Sequence, residues 1–192
     1  MRYFKKIIGE NIYLSPINMD DYETYTEWIN DLEISINLGN AHQIFNLDKE
    51  KEITEQLVEN NFAIIDKAGD KLIGNCGIFD IDQVNKHGEL GILIGEKDYW
   101  DKGIGKEAIS LILDYGFNLL NLHNIMLKVY SFNKRGINCY KKLGFKEIGK
   151  RRESRQVAGE KYDEIYMDIL SSEFKDSKIS VSQLPHPNQK QD

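Results

Sequence analysis

Cysteine is scarce in this chain. Of its 192 residues only Cys76 and Cys139 are cysteines, and their separation matches no metal-binding or redox spacing. Two lone thiols fit a reducing compartment, which sets the expectation of a cytoplasmic protein without a disulfide framework or a metal site. Long apolar runs are missing as well. None approaches the ~18 residues that would span a bilayer. The opening MRYFKKIIGENIYLS is positively charged but lacks an apolar stretch long enough for a signal peptide. A basic excess is also absent: 25 Lys and Arg stand against 31 Asp and Glu, a net charge of -6. Nucleic-acid binders usually present a basic face, so neither nucleic acid nor membrane is expected as a partner.

What remains has the composition of an ordinary globular domain, long enough to bury one core. The acidity is concentrated. Residues 1–60 hold five basic and twelve acidic side chains, whereas the remaining 132 are nearly balanced. Two explanations stay open: solvated helix faces, or a site that attracts cations.

The hydrophobic pattern divides the chain into strands and helices. Glu10–Ile17, Phe62–Asp66, Lys71–Ile81 and Glu89–Ile94 read as four strands, the later ones joined by the polar turns KAGD and QVNKHG. Asn18 and Asp20 offer caps for a helix carrying Tyr22, Tyr25, Trp28 and Ile29 at helical spacing, a spacing that places these aromatics in a core. Asp48 opens a second helix, with Ile53, Leu57 and Val58 as its inner face. From Gly105 a broad stripe of Ala108, Ile109, Ile112, Leu113, Phe117 and Leu120 marks a helix packed on a sheet. Asn124–Phe132 is a fifth strand, and Lys134–Leu143 a helix ended by Gly144. Phe145–Arg151 and Glu164–Leu170 complete about seven strands and about four helices, joined at the end by the polar loop RESRQVAGEKYD. Residues 1–170 form one domain in this scheme, and 171–192 a polar tail that is ordered only where something docks it.

Chemistry enters at Tyr99–Ala108, YWDKGIGKEA, where two glycines flanked by lysines open the apolar helix. Amide groups at a helix N-terminus converge on an anion. A Walker loop fails, because it needs Gly at position 100 and Ser or Thr at 107, where this chain has Trp and Glu. Gly103, Gly105 and Ala108 satisfy the dinucleotide pattern G-x-G-x-x-A. The acidic ribose partner expected about 20 residues on is missing near Lys128–Ser131, which leaves a nicotinamide enzyme a distant third choice.

The loop also resembles the pyrophosphate loop of the GNAT family of N-acetyltransferases, Gln/Arg-x-x-Gly-x-Gly/Ala, with Trp100 in the Gln/Arg place. A second stretch, Asn133–Phe145 (NKRGINCYKKLGF), resembles that family's N-x-x-A-x-x-x-Y-x-K-x-G-F signature, with Gly136 where Ala is usual. The likeness spans residues 10 to 170 and is nearest to the ribosomal-protein-alanine and spermidine acetyltransferases. It implies an α+β GNAT fold, a mostly antiparallel mixed sheet splayed between the fourth and fifth strands.

The same resemblance implies acetyl-CoA as acyl donor and no metal. Its diphosphate would lie on the amides of Lys102, Gly103, Ile104, Gly105 and Lys106, and its pantetheine would pair with the backbone of Leu93 and Ile94. Gly91 and Gly95 are places for the accompanying bulge. Asn133 matches the position that hydrogen-bonds pantetheine, and it can cap its helix at the same time. Direct attack needs a neutral amine, and deprotonating a lysine-like ammonium at pH 7 costs roughly 4–5 kcal/mol. Glu89 is the candidate general base and a strand-end surface carboxylate in equal measure, with His87 a weaker alternative. Tyr140 matches the tyrosine that protonates or hydrogen-bonds the leaving thiolate. Lys134 and Arg135 read as solvated charge.

Acceptors on this view are a protein N-terminus, a polyamine or an aminoglycoside-like amine, and a homodimer is a family-level expectation. The rival class is a GNAT-fold module that binds acyl-CoA without transferring the acyl group.

Overall fold

Ile, Leu and Val at consecutive or alternate positions build the middle of a single sheet, and two sets of helices cover its faces. The computed structural model describes residues 2–59 and 61–177. Its strands are β1 (Ile7–Ile8), β2 (Ile12–Pro16), β3 (Asn61–Asp66), β4 (Lys71–Asp82), β5 (His87–Ile94), β6 (Asn124–Tyr130), β7 (Lys146–Val157) and β8 (Glu160–Leu170). They form one eight-stranded sheet in the order β1-β2-β3-β4-β5-β6-β8-β7, and only the β5–β6 pair is parallel. The helices are α1 (Tyr22–Asn30), α2 (Leu32–Leu38), α3 (Leu47–Leu57), α4 (Ile104–Asn118) and α5 (Lys134–Lys142).

On one face α4 lays Ala108, Ile109, Ile112 and Leu113 against Ile64, Ile73, Ile78 and Ile125. Full burial of each large aliphatic side chain there contributes roughly 1.5–3 kcal/mol. On the other face Tyr25, Trp28 and Ile34 pack on Tyr13, Ala63, Ile65 and Leu72. Tyr25 and Trp28 meet edge to face, 5.6 Å between centroids, so these aromatics are core as their spacing predicts.

The β5–β6 ladder pairs only His87 with Asn124, Gly88 with Ile125 and Glu89 with Met126. Beyond Glu89 the two strands part, and Leu90–Ile94 keep β4 as their partner on one side only. This is the splay expected between the fourth and fifth predicted strands. The irregularity accompanying it is not on β5. The β4–β5 register runs unbroken from Gly91 to Ile94, and the shift falls on β4 between Phe79 and Asp82. Gly91 and Gly95 instead make room for rings: a Cβ would stand 2.5 Å from Phe79 and 1.9 Å from Trp28 respectively.

Other differences from expectation have simple causes. β1 is a two-residue edge strand, too short to leave a periodic signal. α2 follows α1 after a one-residue break, capped by Asp31, whose carboxylate accepts from Glu33 N–H. α3 starts at the Asn46 cap rather than at Asp48, and it buries Glu50 and Thr54 instead of presenting Val58 inward. The stretch expected as a polar loop continues β7 and β8 into a long hairpin, turned by Ala158 and Gly159 at positive φ. Gly144 does terminate α5, with φ +100°.

The tail begins docked. Ser171 N–H donates to His123 O, Lys146 pairs with Glu173, and Phe174 packs against Phe117 at 5.6 Å. Ser177 Oγ donates to Asp114 Oδ1 at 2.9 Å. The rest of the predicted tail, 178–192, lies outside the described residues.

Candidate acyl-transfer site

The stretch of β5 that has parted from β6 lines a cavity of about 470 Å³, whose walls come mainly from four elements. β5 supplies Ile92, Leu93 and Ile94. The N-terminus of α4 supplies Gly103, Gly105 and Lys106, α5 supplies Gly136, Cys139 and Tyr140, and α2 supplies Ile34, Asn37 and Leu38.

Each wall follows from local physics. Gly103 caps α4 with φ +81°, a left-handed conformation that disfavours a side chain. A Cβ at Gly103 or Gly105 would meet nothing within 4 Å. The loop backbone is therefore open to a ligand, and the helix itself leaves the first-turn N–H groups without acceptors. The dipole adds only about 0.3–1 kcal/mol to anion binding. Lys106 lines the same cavity. Lys102 lies outside this cavity's wall, on a neighbouring depression behind the loop. Ile104 turns its side chain into the core and leaves only its backbone to the site.

Asn133 caps α5, its Oδ1 accepting from Gly136 N–H at 2.8 Å. Asn133 lines the cavity, and with Oδ1 engaged its side-chain NH₂ is the group left to donate. A Cβ at Gly136 would press to 2.9–3.1 Å on the Asn133 amide, which accounts for glycine here.

Tyr140 packs edge-on against Phe145 and stands in the cavity wall. Burial pushes its phenol up to about 12, with neighbouring Cys139 adding to the rise. The hydroxyl therefore keeps its proton throughout the neutral range. Burial also raises the Cys139 thiol.

Glu89 is not in this wall. It occupies the last paired position before β5 and β6 diverge, and its Oε2 is 2.7 Å from Lys128 Nζ. The hydrogen bond to Glu89 is the main cause of a raised Lys128 pKa. So the structure gathers Leu93, Ile94, Gly103, Gly105, Lys106, Asn133 and Tyr140 at one cavity, sets Lys102 beside it, and leaves Glu89 ion-paired at its apex. His87 lies farther along the same strand, 3.7 Å from Asp82.

Two contacts were illegible in the chain. Trp100 donates from Nε1 to Ile94 O at 2.8 Å, touching the unpaired edge of β5. Arg135, expected as solvated charge, lays its guanidinium 3.9 Å from the Trp100 ring centroid and comes within 4.0 Å of Asp101. An Arg five residues before the signature Tyr carries no mark of stacking; only the fold brings it to Trp100. α2 likewise left no signal that it would form a wall.

A sheet splayed beside a glycine-capped helix N-terminus, with a capping asparagine and a half-buried tyrosine in the same cavity wall, is the arrangement of an acyltransferase. Residues 11–146 match the acetyltransferase (GNAT) domain, and the chain belongs to that family. It is an acetyltransferase of the GNAT fold, and the relatives are N-acetyltransferases. The uncharacterized N-acetyltransferase p20 of Bacillus licheniformis is 28% identical over 173 residues, covering 86% of this chain and 96% of its own. Spermidine N(1)-acetyltransferase of Vibrio cholerae is 28% identical over 156 residues, covering 75% and 90%. A crystal structure of spermidine N-acetyltransferase from Vibrio cholerae in complex with CoA and spermine superposes with a TM-score of 0.77 at 25% identity, covering 85% of this chain and 97% of that one.

Among the described residues no helix is long and apolar enough to cross a membrane, and no group of three or more His, Cys, Asp or Glu side chains is placed to hold a metal ion.

Proposed function

We propose that the protein transfers an acetyl group from acetyl-CoA to a primary amine of a small cationic acceptor of the polyamine class, by direct attack of the neutral amine on the thioester. The observation that carries this is the convergence on one cavity of the unpaired β5 edge, the Gly103-capped end of α4, Asn133 and Tyr140. The residues fit the donor. The amides from Lys102 to Lys106 would hold its diphosphate, the outward-facing backbone of Ile94 beside Leu93 its pantetheine, with the Leu93 amide turned to β4, and Asn133 Nδ2 a pantetheine carbonyl. When bound, acetyl-CoA supplies the activated acyl carbon and a thiolate leaving group.

Tyr140 then acts as a hydrogen-bond donor to the sulfur. Complete proton transfer from a phenol at about 12 to a thiolate whose acid is near 8.5 is uphill by roughly three pK units or more. A fixed O–H aimed at developing negative charge lowers the barrier without that transfer. Glu89 stands at the apex of the splay as the base. Lys128 must give up or share its ion pair before the carboxylate receives the ammonium proton, directly or through water.

The polyamine class is supported by the Vibrio cholerae enzyme named for spermidine and by the acidic first third of this chain. The test is acetyl-CoA turnover, followed by thiol release, against spermidine, spermine, aminoglycosides and short peptides with free N-termini. Release with the polyamines alone is expected. Release with peptides or aminoglycosides alone would move the acceptor to that class. CoA binding by calorimetry with silence across every amine would point to a module that binds without transferring.

A further inference from the structure

The first turn of α4 carries a carboxylate that the cofactor loop does not itself use. Glu107 follows the GIGK stretch directly. A glutamate so close to exposed helix amides ordinarily folds back onto them or stands in their field, where it would compete with a diphosphate. Here its hydrogen bonds go elsewhere. Its Oε1 accepts from Asn11 N–H at 2.9 Å and its Oε2 from the Asn11 side-chain amide at 2.9 Å, with Ile12 N–H 3.4 Å from Oε1. Those donors belong to the turn between β1 and β2, more than ninety positions away in the chain. The turn is shaped around the carboxylate: a Cβ on Gly9 would stand 2.2 Å from Glu107 Oε1.

We infer that Glu107 is a positioning residue for the cofactor loop. Its carboxylate is satisfied sideways by the β1–β2 turn, which pins the N-terminal turn of α4 to the sheet edge and leaves the Ile104, Gly105 and Lys106 amides to an incoming diphosphate. Asn11 is the other half of the device, and Gly9 gives it room. This rests on the acetyl-CoA reading above.

The experiment is calorimetric titration of acetyl-CoA into the wild type, Glu107→Ala, Glu107→Gln and Asn11→Ala, with thermal melts and steady-state kinetics on each. Glu107→Ala is expected to bind about tenfold more weakly, the scale of one lost charge-assisted contact. KM for acetyl-CoA rises in parallel while kcat at saturation stays within about twofold, because the reacting groups are untouched. Glu107→Gln recovers most of the affinity, since its amide pairs with Asn11 once the Asn11 amide turns over. Asn11→Ala is intermediate.

Wild-type affinity in Glu107→Ala and Asn11→Ala overturns the proposal, and so does a loss confined to kcat. Should Glu107→Ala fail to fold, the surface variant Asn11→Ala decides alone. If the wild type binds no acetyl-CoA, the cofactor reading fails and takes this one with it; if the wild type binds and the variants match it, only this one fails.

Discussion

At Tyr140 one oxygen atom separates packing from chemistry. The ring is held against Phe145 whether or not the hydroxyl is present, so Tyr140→Phe is expected to lower kcat by about ten- to a hundredfold while leaving CoA affinity nearly intact. Initial rates alongside calorimetry check this, and an unchanged kcat would remove the hydroxyl from the reaction. Glu89→Gln is expected to cut the rate at neutral pH and to recover it as pH approaches the acceptor's own pKa near 10.4, where the amine deprotonates unaided. An unaltered pH–rate profile would end the base assignment.

Another carboxyl group governs stability instead. Glu50 on α3 is buried, its Oε2 has no hydrogen-bond partner among the described residues, and burial pushes its pKa up to about 7. The folded chain keeps this proton between the ordinary value of 4.5 and about 7, where the unfolded chain has lost it. Stability therefore falls as pH rises through that window. Glu50→Gln should melt a few degrees above the wild type at pH 8 and lose that advantage near pH 4. Melting curves at the two values test the sign.

At the scale of elements, the end of α4 offers two glycines with opposite demands. Gly103 needs φ +81°, whereas Gly105 is an ordinary helical residue with open space at its Cβ. Gly103→Ala should cost about 1 kcal/mol, and Gly105→Ala should gain about 0.5–1 kcal/mol. Chemical denaturation of the two variants distinguishes them, and equal effects would mean the cap is not where the backbone angles put it.

This contrast also shows what a sequence can carry. Gly103, Asn133 and Gly144 announce themselves because a backbone angle or a cap demands those residue types. So does α4, whose stripe from Ala108 to Phe117 has no other use than burial. α2 does not, because DLEISINL has β-branched residues and buries only Ile34 and Ser35. The β7–β8 hairpin also hides, since charged residues on both faces leave no alternation to read. Within the site, motif positions were legible and pairings were not. Nothing in a chain order joins Glu89 to Lys128 on the next strand of the sheet, or Arg135 to Trp100.

For the whole molecule, the packing of the chain continues past β8. Residues 171–177 cover the last turns of α4 through Phe174 on Phe117 and Ser177 on Asp114, and tie to the start of β7 through Glu173 on Lys146. Ending the chain after Leu170 should lower the melting temperature by roughly 5–10 °C. A chain ended after Ser177 is the reference against which that loss is read. Equal melting of both truncations would show that the docked segment adds nothing.

The Trp100–Arg135 stack has a consequence in light rather than in chemistry. The chain has two tryptophans. Trp28 is sealed in the core beneath α1, while Trp100 lies in the cavity wall with a guanidinium on its face and its Nε1 bound to a strand edge. Whatever enters that cavity meets the indole of Trp100, whereas Trp28 lies outside its wall. The protein thus carries a built-in, label-free fluorescence gauge of its own occupancy, readable in dilute solution before any acceptor is known.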